Sequence, residues 1–362
     1  MSKAVEKGVT AGLVSGEGAP PAGYVELWSR DGYVGVNNVG VRKGYTADFK
    51  SVSGPHVAWR MALADFPAPD QKTPESLPTP LLTARDGTIL SISKLAARMP
   101  FVLRNVDFDE VHFLQTGKAL YETDWGRLEA GPGDFVFVPK SVAYRITPTE
   151  GLLTRLVLES PHSLAFDTPA PFGMIDFGGS VRRASVPAAH AVGGPEEGTV
   201  LLVKSYDGVT RYEYPGDVSM LVQRFTPQAP VWALNLKDIN PVTYEHVGGP
   251  PQHFFASRGK EILLYTLSAR RTSGRPPVHY NADYEEIIHY FKGPGAWGPI
   301  DEPGTLTWVP KGVSHHGPSE DVPAGYLAFL LELRSTPRIT EFGKAHASLM
   351  SGTYQKLPPA GR

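Results

Sequence analysis

Along most of the chain, apolar residues come in short runs rich in Val, Ile, Leu, Tyr, Phe and Trp, broken by Gly, Pro, Asp and Asn. Runs of this kind predict strands joined by tight turns rather than helices. VELW, YVGVNNVGV and HVAWRMAL fill the stretch between residues 24 and 64; LLTA, TILSIS and FVLRNV follow, and later TVLLVKSYDG, VSMLVQRF, EILLYTLSA and GYLAFLLEL. Three stretches interrupt the pattern. Residues 1–20 read as a flexible tail, residues 66–80 as a Pro-rich exposed loop, and residues 163–200 as a Pro/Gly/Ala-rich crossing. Near the end the period changes. Thr336 can cap a helix, Pro337 suits its first position, and Ile339, Phe342, Ala345 and Leu349 then share one face. The expectation is an all-β chain with one amphipathic C-terminal helix, docked on the β structure or on another subunit.

The strand pattern also repeats. Asn105–Gly117 (NVDFDEVHFLQTG) lies over Asn281–Gly293 (NADYEEIIHYFKG), and Gly133–Tyr144 (GDFVFVPKSVAY) over Gly304–His315 (GTLTWVPKGVSH). Two copies of one β unit predict two jelly-roll-type barrels, divided here as residues 1–180 and 181–362.

Chemistry concentrates in the second copy. His279 is followed by Glu285 and Glu286, and later by His315 and His316. Two imidazoles and one carboxylate on neighbouring strands, with other positions open, form the ligand set of non-haem Fe(II) oxygenases. Strand alternation sends His279 and position 281 to one side, and a hairpin returns the Glu to that side. In the first copy, Leu103, Glu110 and Tyr144 stand where His279, Glu286 and His315 stand in the second. A single carboxylate does not hold a metal, so the first half reads as structural, with at most one tightly bound ion per chain. His112 aligns with Ile288 rather than with a ligand, and His289 has the opposite parity to Glu286 and reads as structural.

Composition narrows the setting. The 362 residues include 35 basic and 37 acidic side chains, which does not suggest a nucleic-acid or anionic-membrane partner. No apolar run approaches the roughly 18 residues that span a bilayer, and the N-terminus lacks an apolar signal core. There is no cysteine, so disulfides, thiolate ligands and Cys nucleophiles are excluded. The expected setting is cytoplasmic. Gly (38) and Pro (34) suit a turn-rich β fold.

The two stretches resemble the metal motifs of cupin barrels. His279-x-Asn281-x4-Glu286-x6-Gly293 is similar to the first motif, with Asn281 in place of a second His, and Gly304-x5-Pro310-x-Gly312-x2-His315 to the second. The chain as a whole, from about residue 100, resembles the homogentisate 1,2-dioxygenase superfamily of bicupins. The resemblance rests on His279–Glu286, the His-Gly-Pro at 316–318, the strand ending in Glu332, Phe342-Gly343, Tyr354 and the link PFGMIDFGG. It implies a homo-oligomer that binds Fe(II) through two His and one Glu and cleaves the ring of a homogentisate- or gentisate-like diphenol with O2. Carried over, the ligands are His279, Glu286 and one of two histidines: motif spacing favours His315, the family's His-Gly-Pro favours His316. Glu285 is the alternative carboxylate. Tyr244-Glu245-His246 resembles the family's acid/base segment, which makes His246 the candidate proton shuttle, with His253 behind it. Val309 stands where family members often carry His. The competing readings are a non-oxidative metal-dependent cupin, such as an isomerase or decarboxylase, and a non-catalytic binding bicupin.

Overall fold

The computed structural model describes residues 23–31, 36–67, 70, 76–168, 174–186, 198–216, 228–240, 253–267, 278–292, 300, 302–316 and 326–357. These residues build a nearly all-β bicupin. One sheet has twelve strands, one has eight, and a small sheet has three.

The first barrel is wrapped around two long strands, Asp109–Thr123 and Ala143–Ser160, which pair antiparallel along most of their length. Their register shifts beside Gly117, whose φ is +78°. A Cβ there would meet the Leu152 carbonyl oxygen at 2.7 Å, so the bend requires glycine. The second barrel is centred on Glu285–Lys292, flanked by Thr305–Val309 and Leu327–Leu333.

Alternation along these strands sorts side chains into three cores. Leu103, Leu114, Tyr121, Val136 and Tyr144 fill the first barrel. Leu263, Tyr265, Ile288, Tyr290, Val309 and Leu330 fill the second. The odd-parity residues on the facing walls make the third, between the barrels. There Phe113 packs on Phe291 and Phe329 with ring centroids 5.3 and 4.7 Å apart. His289 sits in this seam, fully buried, and its Nε2–H donates to Gln115 Oε1 at 2.7 Å. That is the structural position its parity predicts.

Strand pairing crosses the expected division at residue 180 in both directions. Trp59–Ala62 adds to the second barrel beside Thr305–Val309, while Pro337–Ile339 returns to the first beside Thr79–Ala84. Thr199–Ser205 pairs in parallel with Val102–Asn105 of the first barrel, and Tyr24–Ser29 in parallel with Val278–Asn281 of the second. Each barrel is therefore capped by a hairpin from the other half of the sequence.

Two local expectations change. The terminal helix is a single turn, Glu341–Ala345, capped by Thr340, whose Oγ accepts from the Gly343 amide at 3.0 Å. Pro337–Ile339 is a strand instead, because pairing with the first barrel outweighs a short helix's weak local preference. Its apolar side does dock: Phe342 packs on Phe66. The Pro-rich stretch 66–80 is not wholly exposed, since Phe66 and Asp70 are buried and Asp70 accepts from the Lys94 amide at 2.9 Å. The run VSMLVQRF lies outside the described residues. Among the described residues, no helix is long and apolar enough to cross a membrane.

Candidate metal centre

His279 comes from Val278–Asn281, Glu286 from Glu285–Lys292, and His315 from the turn after Thr305–Val309. His279 and His315 exchange both backbone hydrogen bonds, each 2.9 Å, which locks the two imidazoles opposite one another. The register leading to His315 depends on two left-handed residues, Gly304 (φ +82°) and Gly312 (φ +80°). The first barrel keeps both conformations, at Gly133 (φ +85°) and at Ser141 (φ +67°). The turn geometry is thus a property of the repeat, and it survives even where a non-glycine side chain pays a strain cost.

The three side chains meet inside the second barrel, all buried, with one donor atom of each within 4.8 Å of the others. His315 Nε2 lies 3.1 Å and His279 Nε2 3.7 Å from Glu286 Oε2, and the imidazole centroids are 4.3 Å apart. Donor separations of this order are what ligand bonds of about 2 Å meeting at one ion produce. His315 Nδ1 is engaged by the Val313 carbonyl at 2.9 Å, so that nitrogen carries the proton and Nε2 presents a lone pair. Burial alone would raise the Glu286 carboxyl; the neighbouring His315 and His279 outweigh it and hold the carboxyl well below the usual range. The donor set, its tautomer and its charge all suit a divalent cation.

The flanking residues have distinct tasks. Asn281 does not join the donor cluster; its Nδ2 donates to Glu286 Oε2 at 3.0 Å, and its Oδ1 accepts from Ser29 Oγ at 2.9 Å. Glu285 points to the opposite side of the strand, where Trp308 Nε1 donates to it at 3.0 Å and Lys311 lies close. His316 turns away from the cluster, its ring 5.9 Å from Tyr45. His253 is held by Asp167 at 3.1 Å, away from the three. His246, with Tyr244 and Glu245, lies outside the described residues.

Two participants escaped sequence reasoning. Glu332 pairs directly across from Glu286, and Tyr265 donates to its Oε2 at 2.9 Å. Burial and the charge of Glu286 push its carboxyl up to about 8, so it holds a proton at neutral pH. A carboxylate within the apolar run LAFLLEL was its available signal. The other is the hairpin Tyr24–Ser29/Asn37–Arg42, which carries Ser29 and the buried Glu26. Glu26 accepts from Ser314, next to His315, at 2.7 Å, and from Arg42 and Thr46, each at 2.6 Å. No local motif announces a contact spanning more than 250 residues.

No family model matches the chain. Among curated proteins it is similar to "Putative dioxygenase SSO1533" of Saccharolobus solfataricus, 24% identical over 225 residues. The match covers 59% of this chain and 57% of that protein, so the chain spans little more than half of that relative's length. Among solved structures it overlaps a cupin 2 conserved barrel domain protein from Leptotrichia buccalis (11% identity, TM-score 0.43, 77% of this chain and 97% of that one). It also overlaps a glyoxylate-induced protein from Pseudomonas aeruginosa (12%, 0.45, 81% and 93%), and oxalate decarboxylase from Bacillus subtilis (13%, 0.40, 82% and 82%). At these scores the overlaps carry no assignment of activity or substrate.

Proposed function

We propose that the chain is an Fe(II)-dependent dioxygenase that opens the ring of a dihydroxylated aromatic acid, homogentisate- or gentisate-like. The observation that carries this reading is the buried His279–Glu286–His315 cluster, in which Asn281 braces the carboxylate instead of ligating. Two His and one carboxylate leave coordination positions for substrate and O2, which a fourth protein ligand would reduce. The dioxygenase name of the Saccharolobus solfataricus relative points the same way.

His279, Glu286 and His315 would hold the ion. Bound there, Fe(II) supplies the Lewis acidity and redox chemistry that let O2 react with an electron-rich ring. The protein's own groups do the rest. Ionised Glu286 sets the charge of the site, and the Val313 carbonyl fixes His315 with Nε2 inward. Glu332 holds a proton beside them. Arg60, buried on the same inner wall beyond Thr307, brings positive charge suited to a carboxylate-bearing substrate. His246 is the proposed acid/base for a phenolic proton, an exchange within the imidazole range. The same reading makes the chain a cytoplasmic homo-oligomer with a small aromatic acid and O2 as its partners.

The test is anaerobic Fe(II) loading followed by oxygen-electrode and absorbance traces with 1,4- and 1,2-dihydroxy aromatic acids and aminophenols. The expected result is one O2 consumed per aromatic molecule, with new conjugated absorbance from a ring-opened acid. Iron-replete protein that takes up no oxygen with any of them would move the assignment to a non-oxidative cupin enzyme.

A further inference from the structure

The two capping hairpins approach their barrels in the same register. Ser29 is the strand partner of Asn281, and Lys204 is the strand partner of Asn105. The two asparagines are equivalent: Asn105 donates to Glu110 at 2.8 Å, as Asn281 does to Glu286 at 3.0 Å. The next carboxylates are equivalent too, with Glu159 across from Glu110 and Glu332 across from Glu286. One hairpin position therefore addresses one pair of buried carboxylates in each barrel. In the first barrel it carries an ammonium, and Lys204 Nζ donates to Glu159 Oε1 at 2.5 Å. In the second it carries a hydroxyl, and Ser29 Oγ reaches the pair through Asn281.

We propose that this hairpin position selects what balances the buried carboxylates: a protein cation in the first barrel, a metal ion in the second. Ser29 is a positioning residue of the metal centre, acting on Glu286 through the amide of Asn281. Its smallness and neutrality matter as much as its hydroxyl. A lysine at that register would carry its ammonium to Glu332 and the neighbouring Glu286, where it competes with a divalent ion for the same negative charge. The proposal rests on the metal-centre reading above and adds that the selection is made from the opposite end of the sequence.

Three variants test it: Ser29→Lys, Ser29→Met and Ser29→Ala, each examined as the full chain. Fe(II) and Mn(II) affinity is measured by competition with a coloured chelator, alongside circular dichroism and thermal unfolding of the metal-free protein. Removing a group that orients a ligand costs about 10- to 100-fold in metal affinity. Ser29→Ala is expected near the lower figure, with unfolding of the metal-free protein little changed. Ser29→Lys is expected to lose about 100-fold or more while keeping the β circular-dichroism signal, since Lys204 shows that the architecture accepts a lysine there. Ser29→Met, similar in length but neutral, should fall between them; a loss as large as with lysine would mean bulk rather than charge and would overturn the selection. Unchanged affinity in Ser29→Lys overturns this inference alone, whereas wild-type protein that binds no metal overturns the metal-centre reading beneath it.

Discussion

In the first barrel, Glu110 accepts from His112 at 3.0 Å and from Asn105, while Arg155 donates to the far nitrogen of that imidazole at 2.9 Å. In the second, the equivalent Glu286 faces His279 and His315, with Asn281 at its side. Burial and Arg155 push His112 down to about 4, so it is a neutral bridge between a guanidinium and a carboxylate. His315 has the opposite bias: the charge of Glu286 outweighs burial and raises it. The backbone is shared down to the pairing of Leu103 with Tyr144 and of His279 with His315. The difference teaches that a barrel loses or keeps metal chemistry through a few side chains, and that the barrel without ligands must close its own charge circuit.

The largest effects should come from opening that comparison at the ligands. His279→Ala and Glu286→Gln are each expected to take bound Fe(II) from about one ion per chain to none by elemental analysis, while Glu110→Gln leaves the metal content at one. Loss of metal in Glu110→Gln would place the ion in the wrong barrel for this account.

Next in size is the first barrel's charge circuit. Arg155 is 1% exposed, so Arg155→Met leaves Glu110 and Glu159 buried with less compensation. Breaking such a pair on one side costs about 3–5 kcal/mol, to be read from urea unfolding, with metal stoichiometry unaffected. A cost below about 1 kcal/mol would show that the circuit is not what holds the first interior together.

A smaller effect concerns the seam. Burial pushes His289 down to about 3 against 6.5 for an ordinary imidazole. The folded state thus resists a proton that the unfolded state takes up. Its contribution is fully present above about pH 6.5 and is lost as pH falls toward 3. His289→Gln should flatten the acid limb of a stability-versus-pH curve, and an unchanged slope would contradict the neutral role. Smallest of all, Thr340→Ala should cost about 1 kcal/mol by removing the cap of the terminal turn, measured by thermal unfolding.

Much of this was legible in the sequence because it is local. Strand runs, the repeat and the spacing from Gly304 to His315 all rest on alternation and on two left-handed turns. Glu286 over Glu285 also follows from parity, and the structure turns Glu285 to Trp308. What stayed hidden is non-local. Pro337 was read as a helix start because nothing nearby reveals that Leu82–Ala84 waits to pair with it. Ser29 and Glu26 sit in an unremarkable strand, and their contacts to Asn281 and Ser314 depend on the second barrel being built first.

The account's central claim is a single metal centre in the second barrel, with His315 rather than His316 as its third ligand. The most direct measurement is an anaerobic Fe(II) titration of His315→Ala and His316→Ala beside the wild-type chain. The account predicts about one ion per chain for wild type and for His316→Ala, and none held tightly by His315→Ala. Loss of iron in His316→Ala with retention in His315→Ala, or two ions per wild-type chain, would contradict it.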